Sequence, residues 1–260
     1  MSASSMIPDP SSGLHRLDSG HEHVGLLELA HPPYNYLNAP LLAALADTLE
    51  AFDADPGVRC IVLAARGRAF SAGADFGGGA NDPESLYTQA MRLFRTSKPV
   101  VAAVHGAAIG AGLGLALAAD FRVTCSQARY SANFNRLGFH PGFGLSVTLP
   151  RLLGPQQASL LLYTGRRIDG TEAVRIGLAD VLAEEDKVRV HALALAAEIA
   201  ASAPLAVTST RATLRAGLAD EVQRVNERER KLQLAQFATE DFREGVQAMA
   251  ERRLPQFRGK

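Results

Sequence analysis

His105-Gly106-Ala107-Ala108-Ile109-Gly110-Ala111-Gly112-Leu113-Gly114 follows directly on the apolar run Val100-Val101-Ala102-Ala103-Val104, and its reading decides the fold. A short run with no polar face reads as a strand buried on both sides, as in a parallel sheet. The segment after it is apolar all round through residue 119, which predicts a buried helix over 110–119. Small residues between the two let a ligand approach the backbone, and a helix N-terminus presents N–H groups without intrahelical acceptors. A second stretch, Ala69-Phe70-Ser71-Ala72-Gly73-Ala74-Asp75-Phe76, stands in the same relation to a predicted strand over 59–64. One N–H from each loop, converging, would hold the oxygen of a carbonyl as it gains negative charge. Small residues that merely allow close helix–strand packing are the plainer account of either segment alone.

Outward from these loops, strands and helices alternate. Residues 24–30 read as a strand and 40–52 as a helix, capped by Asn38 and ended by Asp55-Pro56-Gly57. Asp82-Pro83-Glu84 opens another helix, and 121–125 is a further strand. Helices are expected over 141–153, from Gly154-Pro155 to Thr164, over 186–202, and from Pro204 onward. Asp169-Gly170-Thr171-Glu172 reads as a capping box with Asp in the cap position. The pattern predicts an α/β core over 1–202 with a helical region over 203–260.

Composition narrows the function. Of 260 residues 47% are apolar and 21% charged, ordinary for a globular chain, and a chain this long buries roughly three-quarters of its unfolded surface. Lys plus Arg equals Asp plus Glu at 27 each, which removes the basic footprint that nucleic acid needs. Cys60 and Cys125 sit in apolar runs, so neither a disulfide framework nor a thiolate metal cage is expected. No secretory signal and no membrane-spanning run is read, so a cytoplasmic location is the expectation.

Three motif readings fail. Gly110 and Gly112 fit the first two glycines of a dinucleotide fingerprint, but Leu115 stands where the third belongs, and no acid ends a strand about twenty residues on. Gly144-Leu145-Ser146-Val147-Thr148 lacks the closing glycine of a nucleophile elbow. His21-Glu22-His23 has no third metal ligand nearby and reads better as a polar hairpin.

At the two glycine-bearing loops the chain resembles the crotonase, or enoyl-CoA hydratase/isomerase, superfamily. Pro32-Pro33-Tyr34-Asn35-Tyr36-Leu37-Asn38, Lys98-Pro99-Val100, Thr164-Gly165-Arg166-Arg167-Ile168, Gly177-Leu178-Ala179-Asp180 and Thr239-Glu240-Asp241-Phe242-Arg243-Glu244-Gly245 extend the similarity nearly end to end. The resemblance implies an α/β spiral of ββα units with a C-terminal helical region that covers the site and supports assembly as homotrimers or dimers of trimers. It implies an acyl-CoA thioester as ligand, coenzyme A being part of the substrate and no separate cofactor or metal being needed. The oxyanion donors would be the backbone N–H groups of Ala74 and Ala111. Substrate contacts would fall at Tyr34, Tyr36, Leu37, Ala72, Asp75, Phe76, Ile109, Phe134, Leu137 and Gly142, with the Ala72 carbonyl facing the adenine.

The departures are as specific as the matches. The two glutamates of the family's hydratases fall at Gly114 and Phe134, and the acid of some of its isomerases at Gly142. An enolate-stabilising site without its usual proton-transfer groups is therefore expected, with an acyl-CoA-binding protein that does no chemistry as the alternative. Six of the sixteen aromatic residues (Tyr34, Tyr36, Phe76, Phe134, Phe139, Phe143) lie in or beside site segments, which favours a bulky apolar or aromatic acyl group. His140 is the side chain of the Gly138–Gly144 loop that titrates near neutrality, and it is the candidate replacement for the acids; a local role in the loop is the plainer account.

Overall fold

The computed structural model describes residues 12–75 and 83–260, so Phe76 and the Asp82 cap lie outside the described residues. Strand β1 (Leu14–Leu17) forms an antiparallel hairpin with β2 (Val24–Leu29), with His21-Glu22-His23 in the turn. Helix α1 (Ala39–Ala54) follows, and the Asn38 side chain accepts from the Leu41 N–H at 2.9 Å, as the capping pattern predicts. The chain then runs three times through the same sequence of elements. A buried strand β3 (Cys60–Ala65), a short strand β4 (Ala69–Ser71) and helix α2 (Pro83–Arg92) make the first pass. The second is β5 (Val100–Val104), β6 (Ala107–Ile109) and α3 (Ala111–Ala118); the third is β7 (Phe121–Cys125) and β8 (Arg129–Ser131), followed by a 3₁₀ turn (Asn133–Leu137) and α4 (Leu145–Leu153).

This repetition is the ββα spiral. The longer strands, joined by β10 (Val181–Ala183), build a six-stranded sheet in the order β1-β2-β3-β5-β7-β10, parallel except at β1. The short strands, with β9 (Ile168–Asp169), build a four-stranded sheet in the order β4-β6-β8-β9. All residues of β2, β3 and β5 are buried, which is why they read as unbroken apolar runs. The second sheet escapes a reading by periodicity because strands of three residues hold no full period. Both glycine-bearing loops begin as these strands.

Helix α5 (Pro155–Thr164) packs on the 3₁₀ turn at 133–137, and helix α6 (Gly170–Arg175) on β7 and β8. Asp169 caps α6 by accepting from the Glu172 N–H at 2.8 Å, but the Glu172 carboxylate turns to Arg175 at 2.6 Å, so only half of the capping box forms. Helix α4 begins at Leu145 rather than 141, and α7 spans Val188–Ala200 after a 3₁₀ turn at Glu185–Lys187, within the expected 186–202. Val188, Ala192, Ala196 and Ala200 recur every fourth position on α7, a small-residue stripe that lets it lie close against β3, β5 and β7.

Helices α8 (Pro204–Leu214), α9 (Leu218–Gln236) and α10 (Glu240–Ala250) complete the chain, α9 against α2 and α4, α10 against the 3₁₀ turn at 133–137. Among the described residues no single helix is long and apolar enough to cross a membrane. Asp120 fastens α8 to the sheet. It accepts from the Val100 N–H at 2.8 Å, from Arg211 Nε at 2.9 Å and from the Arg215 guanidinium at 3.1 Å. Burial pushes the Arg215 guanidinium below its usual range, and the Asp120 charge counteracts it. Asp120→Asn strands two largely buried cations, so it should lower unfolding stability by about 3–5 kcal/mol. Urea titration followed by circular dichroism checks this; a midpoint equal to wild type would contradict it.

Candidate active site

Strands β4 and β6 are parallel neighbours, so the loops leaving their C-terminal ends emerge side by side. They touch at Gly73. A side chain there would begin 3.0 Å from the Ile109 carbonyl oxygen and 3.9 Å from the Ala111 nitrogen, and its φ of +108° is strained for any residue with a Cβ. Gly110, at φ 56° and ψ −118°, makes the corresponding bend before α3.

Hydrogen bonding around these bends leaves one donor over in each loop. The Ala72 N–H donates to the Tyr34 carbonyl at 3.0 Å, the Gly73 N–H to Ser71 Oγ at 3.3 Å, and the Asp75 N–H to the Leu37 carbonyl at 3.0 Å. Between them, the Ala74 N–H has no acceptor among the described residues. In the second loop the Gly110 N–H donates to the Ser131 carbonyl at 2.8 Å, whereas the Ala111 N–H belongs to the first turn of α3 and has no intrahelical acceptor. The Leu37 N–H donates back to the Gly73 carbonyl at 2.8 Å, so the segment from Tyr34 to Leu37 holds the first loop as a strand would.

Ala74 and Ala111 both line a cavity of about 490 Å³. Tyr36, Ala72 and Asp75 lie on the same wall, and Asn133 sits beside Gly110, its Oδ1 3.2 Å from where a Gly110 Cβ would stand. Aromatic rings line much of the rest, beginning at Phe134, whose ring tip lies 3.8 Å from where a Gly110 Cβ would stand. Phe134, Phe139, Phe237 and Phe242 pack mostly edge to face, with ring centroids 5.5 Å apart for Phe134–Phe139, 5.1 Å for Phe139–Phe237 and 4.9 Å for Phe237–Phe242. Leu137 lies among them, and α10 closes that end with Val246 and Met249.

The expected site residues divide accordingly. Tyr36, Ala72, Ala74, Asp75, Ala111, Phe134 and Leu137 meet in the cavity. Leu37 is fully buried, pairing its backbone with Ala74 rather than facing the cavity, and Ile109 presents its carbonyl to Gly73. Tyr34 is exposed and stacks edge-on against Tyr36 at 6.2 Å. Phe143 is turned away, buried against α3.

His140 sits where the alternative of a local role in the loop would place it. It is not among the residues lining the cavity; its Nδ1 lies 2.7 Å from the Pro141 carbonyl, and its backbone N–H donates to Gln236 at 2.7 Å. Backbone bonds at both faces of the residue fix the loop and leave the ring to a local partner.

At the three positions where the resemblance placed acids, Gly114, Phe134 and Gly142, the space is taken by other groups. A side chain at Gly114 would begin 2.6 Å from Cβ and Cγ of Phe143, so this aromatic takes the space a glutamate needs. Phe134 puts a ring into the cavity itself. At Gly142 a side chain would overlap the Tyr87 hydroxyl and begin 2.5 Å from Gln233 Nε2. Among the described lining residues the titratable side chains are Tyr36, Asp75 and Tyr87, and burial pushes the Tyr87 phenol far above its usual range. Tyr87 and Gln233 were not legible in advance; they come from α2 and α9, 146 residues apart, and no local pattern links them.

Comparison with known proteins shows which family the chain is similar to. The sequence model of the enoyl-CoA hydratase/isomerase family matches residues 19–260. A probable enoyl-CoA hydratase of Bacillus subtilis (strain 168) is 35% identical over 248 residues, 92% of this chain and 96% of the relative. A crotonyl-CoA hydratase of Syntrophomonas wolfei is 33% identical over 246 residues, covering 91% of this chain and 95% of the relative. The crystal structure of an enoyl-CoA hydratase/isomerase from Pseudoalteromonas atlantica T6c superimposes with a TM-score of 0.86 at 33% identity, covering 95% of this chain and all of that one.

Proposed function

The chain belongs to the enoyl-CoA hydratase/isomerase family, whose members act on acyl-CoA, and from that premise we propose that it holds the thioester oxygen between the Ala74 and Ala111 N–H groups and stabilises the enolate formed there. The observation that carries this reading is the pair of spare backbone donors at adjoining loops in one cavity. As a proton leaves the α-carbon, charge moves onto the thioester oxygen, and fixed N–H dipoles in an apolar pocket stabilise it without reorganising. Coenzyme A is part of the substrate, and the chemistry calls for no separate cofactor or metal. The aromatic wall supports a bulky apolar acyl group.

Turnover needs a proton-transfer group, and neither glutamate position supplies one. That is also the observation favouring the second reading, acyl-CoA binding without chemistry. Division into a core over 1–202 and a helical region over 203–260, assembly as trimers or dimers of trimers, and a cytoplasmic location belong to the same proposal. The exposed Leu205 and Leu214 of α8 support self-association.

Calorimetry against a panel of acyl- and enoyl-CoA thioesters, with products followed by mass spectrometry, tests the proposal. Thioesters should bind more tightly than free coenzyme A, which has no carbonyl for the two donors. Absence of thioester binding at millimolar concentration would remove the reading, and binding without any product would favour the second one.

A further inference from the structure

Among the described lining residues, Tyr87 and Gln233 form a hydrogen-bonded polar pair. Tyr87 on α2 and Gln233 on α9 both line the cavity, and the Tyr87 O–H donates to Gln233 Oε1 at 2.9 Å. The bond directions are fixed from outside. Gln233 lies 2.8 Å from the His140 carbonyl, which can only accept, so the amide nitrogen must face it and the amide oxygen must face Tyr87. After these bonds Gln233 keeps a second amide hydrogen and Tyr87 keeps the lone pairs of its oxygen, one donor and one acceptor side by side. Gly142 is the residue that makes this arrangement possible, because any side chain there would occupy the position of the pair.

We propose that Tyr87 and Gln233 form a specificity subsite for a hydroxyl group carried on the acyl part of the thioester. This rests on the thioester reading above and names the class of acyl group. A hydroxyl is the group that can donate to the Tyr87 oxygen and accept from the Gln233 amide at once. A carbonyl satisfies only the amide, and an ammonium only the phenol. A carboxylate brings an uncompensated charge into an apolar wall. The buried Glu229, whose charge already acts on Tyr87, opposes it further. A plain alkyl or phenyl group covers the pair and leaves both capacities unpaired, which costs affinity. With its phenol far above the usual range, Tyr87 stays protonated near neutrality and acts in recognition, not as a base.

The test is calorimetry on the full chain with matched thioesters: straight-chain acyl-CoAs of increasing length, each with its terminal hydroxyl and terminal carboxyl analogue, and a phenylacyl-CoA with its hydroxyphenyl analogue. At the length that reaches the pair, the hydroxyl member should bind about five- to tenfold more tightly than its parent, the value of one neutral buried hydrogen bond. The carboxyl member should bind more weakly than either. Tyr87→Phe and Gln233→Met should each lower the hydroxyl-to-parent ratio, and the double variant should bring it close to one. No hydroxyl preference anywhere in the series, or a preference that survives both substitutions, overturns the subsite while parent binding still supports the thioester site. If no thioester binds, the thioester site and the subsite fall together.

Discussion

Replacing Ala111 with proline should lower turnover of whatever thioester the protein accepts by roughly 10²–10³-fold, the usual cost of losing one oxyanion donor. The substitution removes the N–H and sets the ring Cδ where that hydrogen pointed, so the loss combines a missing donor with crowding of the oxygen position. Ala111 is the first residue of α3, a position where proline fits because its N–H has no intrahelical acceptor. Gly110 before it takes an extended, mirror-image conformation that does not resist a following proline. The variant should therefore keep its far-ultraviolet circular dichroism and its melting temperature while kcat falls. Unchanged turnover in a folded Ala111→Pro protein would show that the second donor lies elsewhere.

Hydration of crotonyl-CoA should be slower than in a family hydratase that carries both glutamates, by about 10²–10⁴-fold for each missing proton-transfer group. The loss follows from space as much as from sequence. Phe143 occupies the room beside Gly114, Phe134 puts an apolar ring into the cavity, and His140 turns its Nδ1 to the Pro141 carbonyl. A loss confined to crotonyl-CoA, with another thioester turned over quickly, would mean that a different lining group moves the proton. The direct comparison is steady-state absorbance of the conjugated thioester with both enzymes at equal concentration. Hydration as fast as the reference would overturn the assignment of the acid positions.

The parts of the molecule that could be read in advance are those where one local pattern determines the outcome. Strands at 24–29, 60–65 and 100–104 are apolar on both faces because they are buried on both faces, and Asn38 and Asp169 announce the helices they cap. The close approach of the two glycine-bearing loops was legible for the same reason: small residues at Gly73 and Gly110 mark places where the backbone itself must come close. What lies between distant elements was not legible. The three-residue strands of the second sheet carry no period, and Tyr87 meets Gln233 only because α2 and α9 pack together. His140 shows what a reading by residue type leaves out. Its ionisation range suggested proton transfer, but direction of the ring is set by the backbone contacts of the loop, on which titration has no bearing.

The central claim is that the thioester carbonyl lies between two backbone donors, and its vibration reports that directly. Isotope-edited Raman difference spectra of a carbonyl-labelled, unreactive acyl-CoA should be recorded free, bound to the wild type and bound to Ala111→Pro. Hydrogen bonds from Ala74 and Ala111 polarise the carbonyl and weaken its double bond, so the stretch should move to lower frequency on binding to the wild type. Most of that shift should disappear in the proline variant. A bound ligand whose carbonyl vibrates as it does in water, in both proteins, would contradict the account.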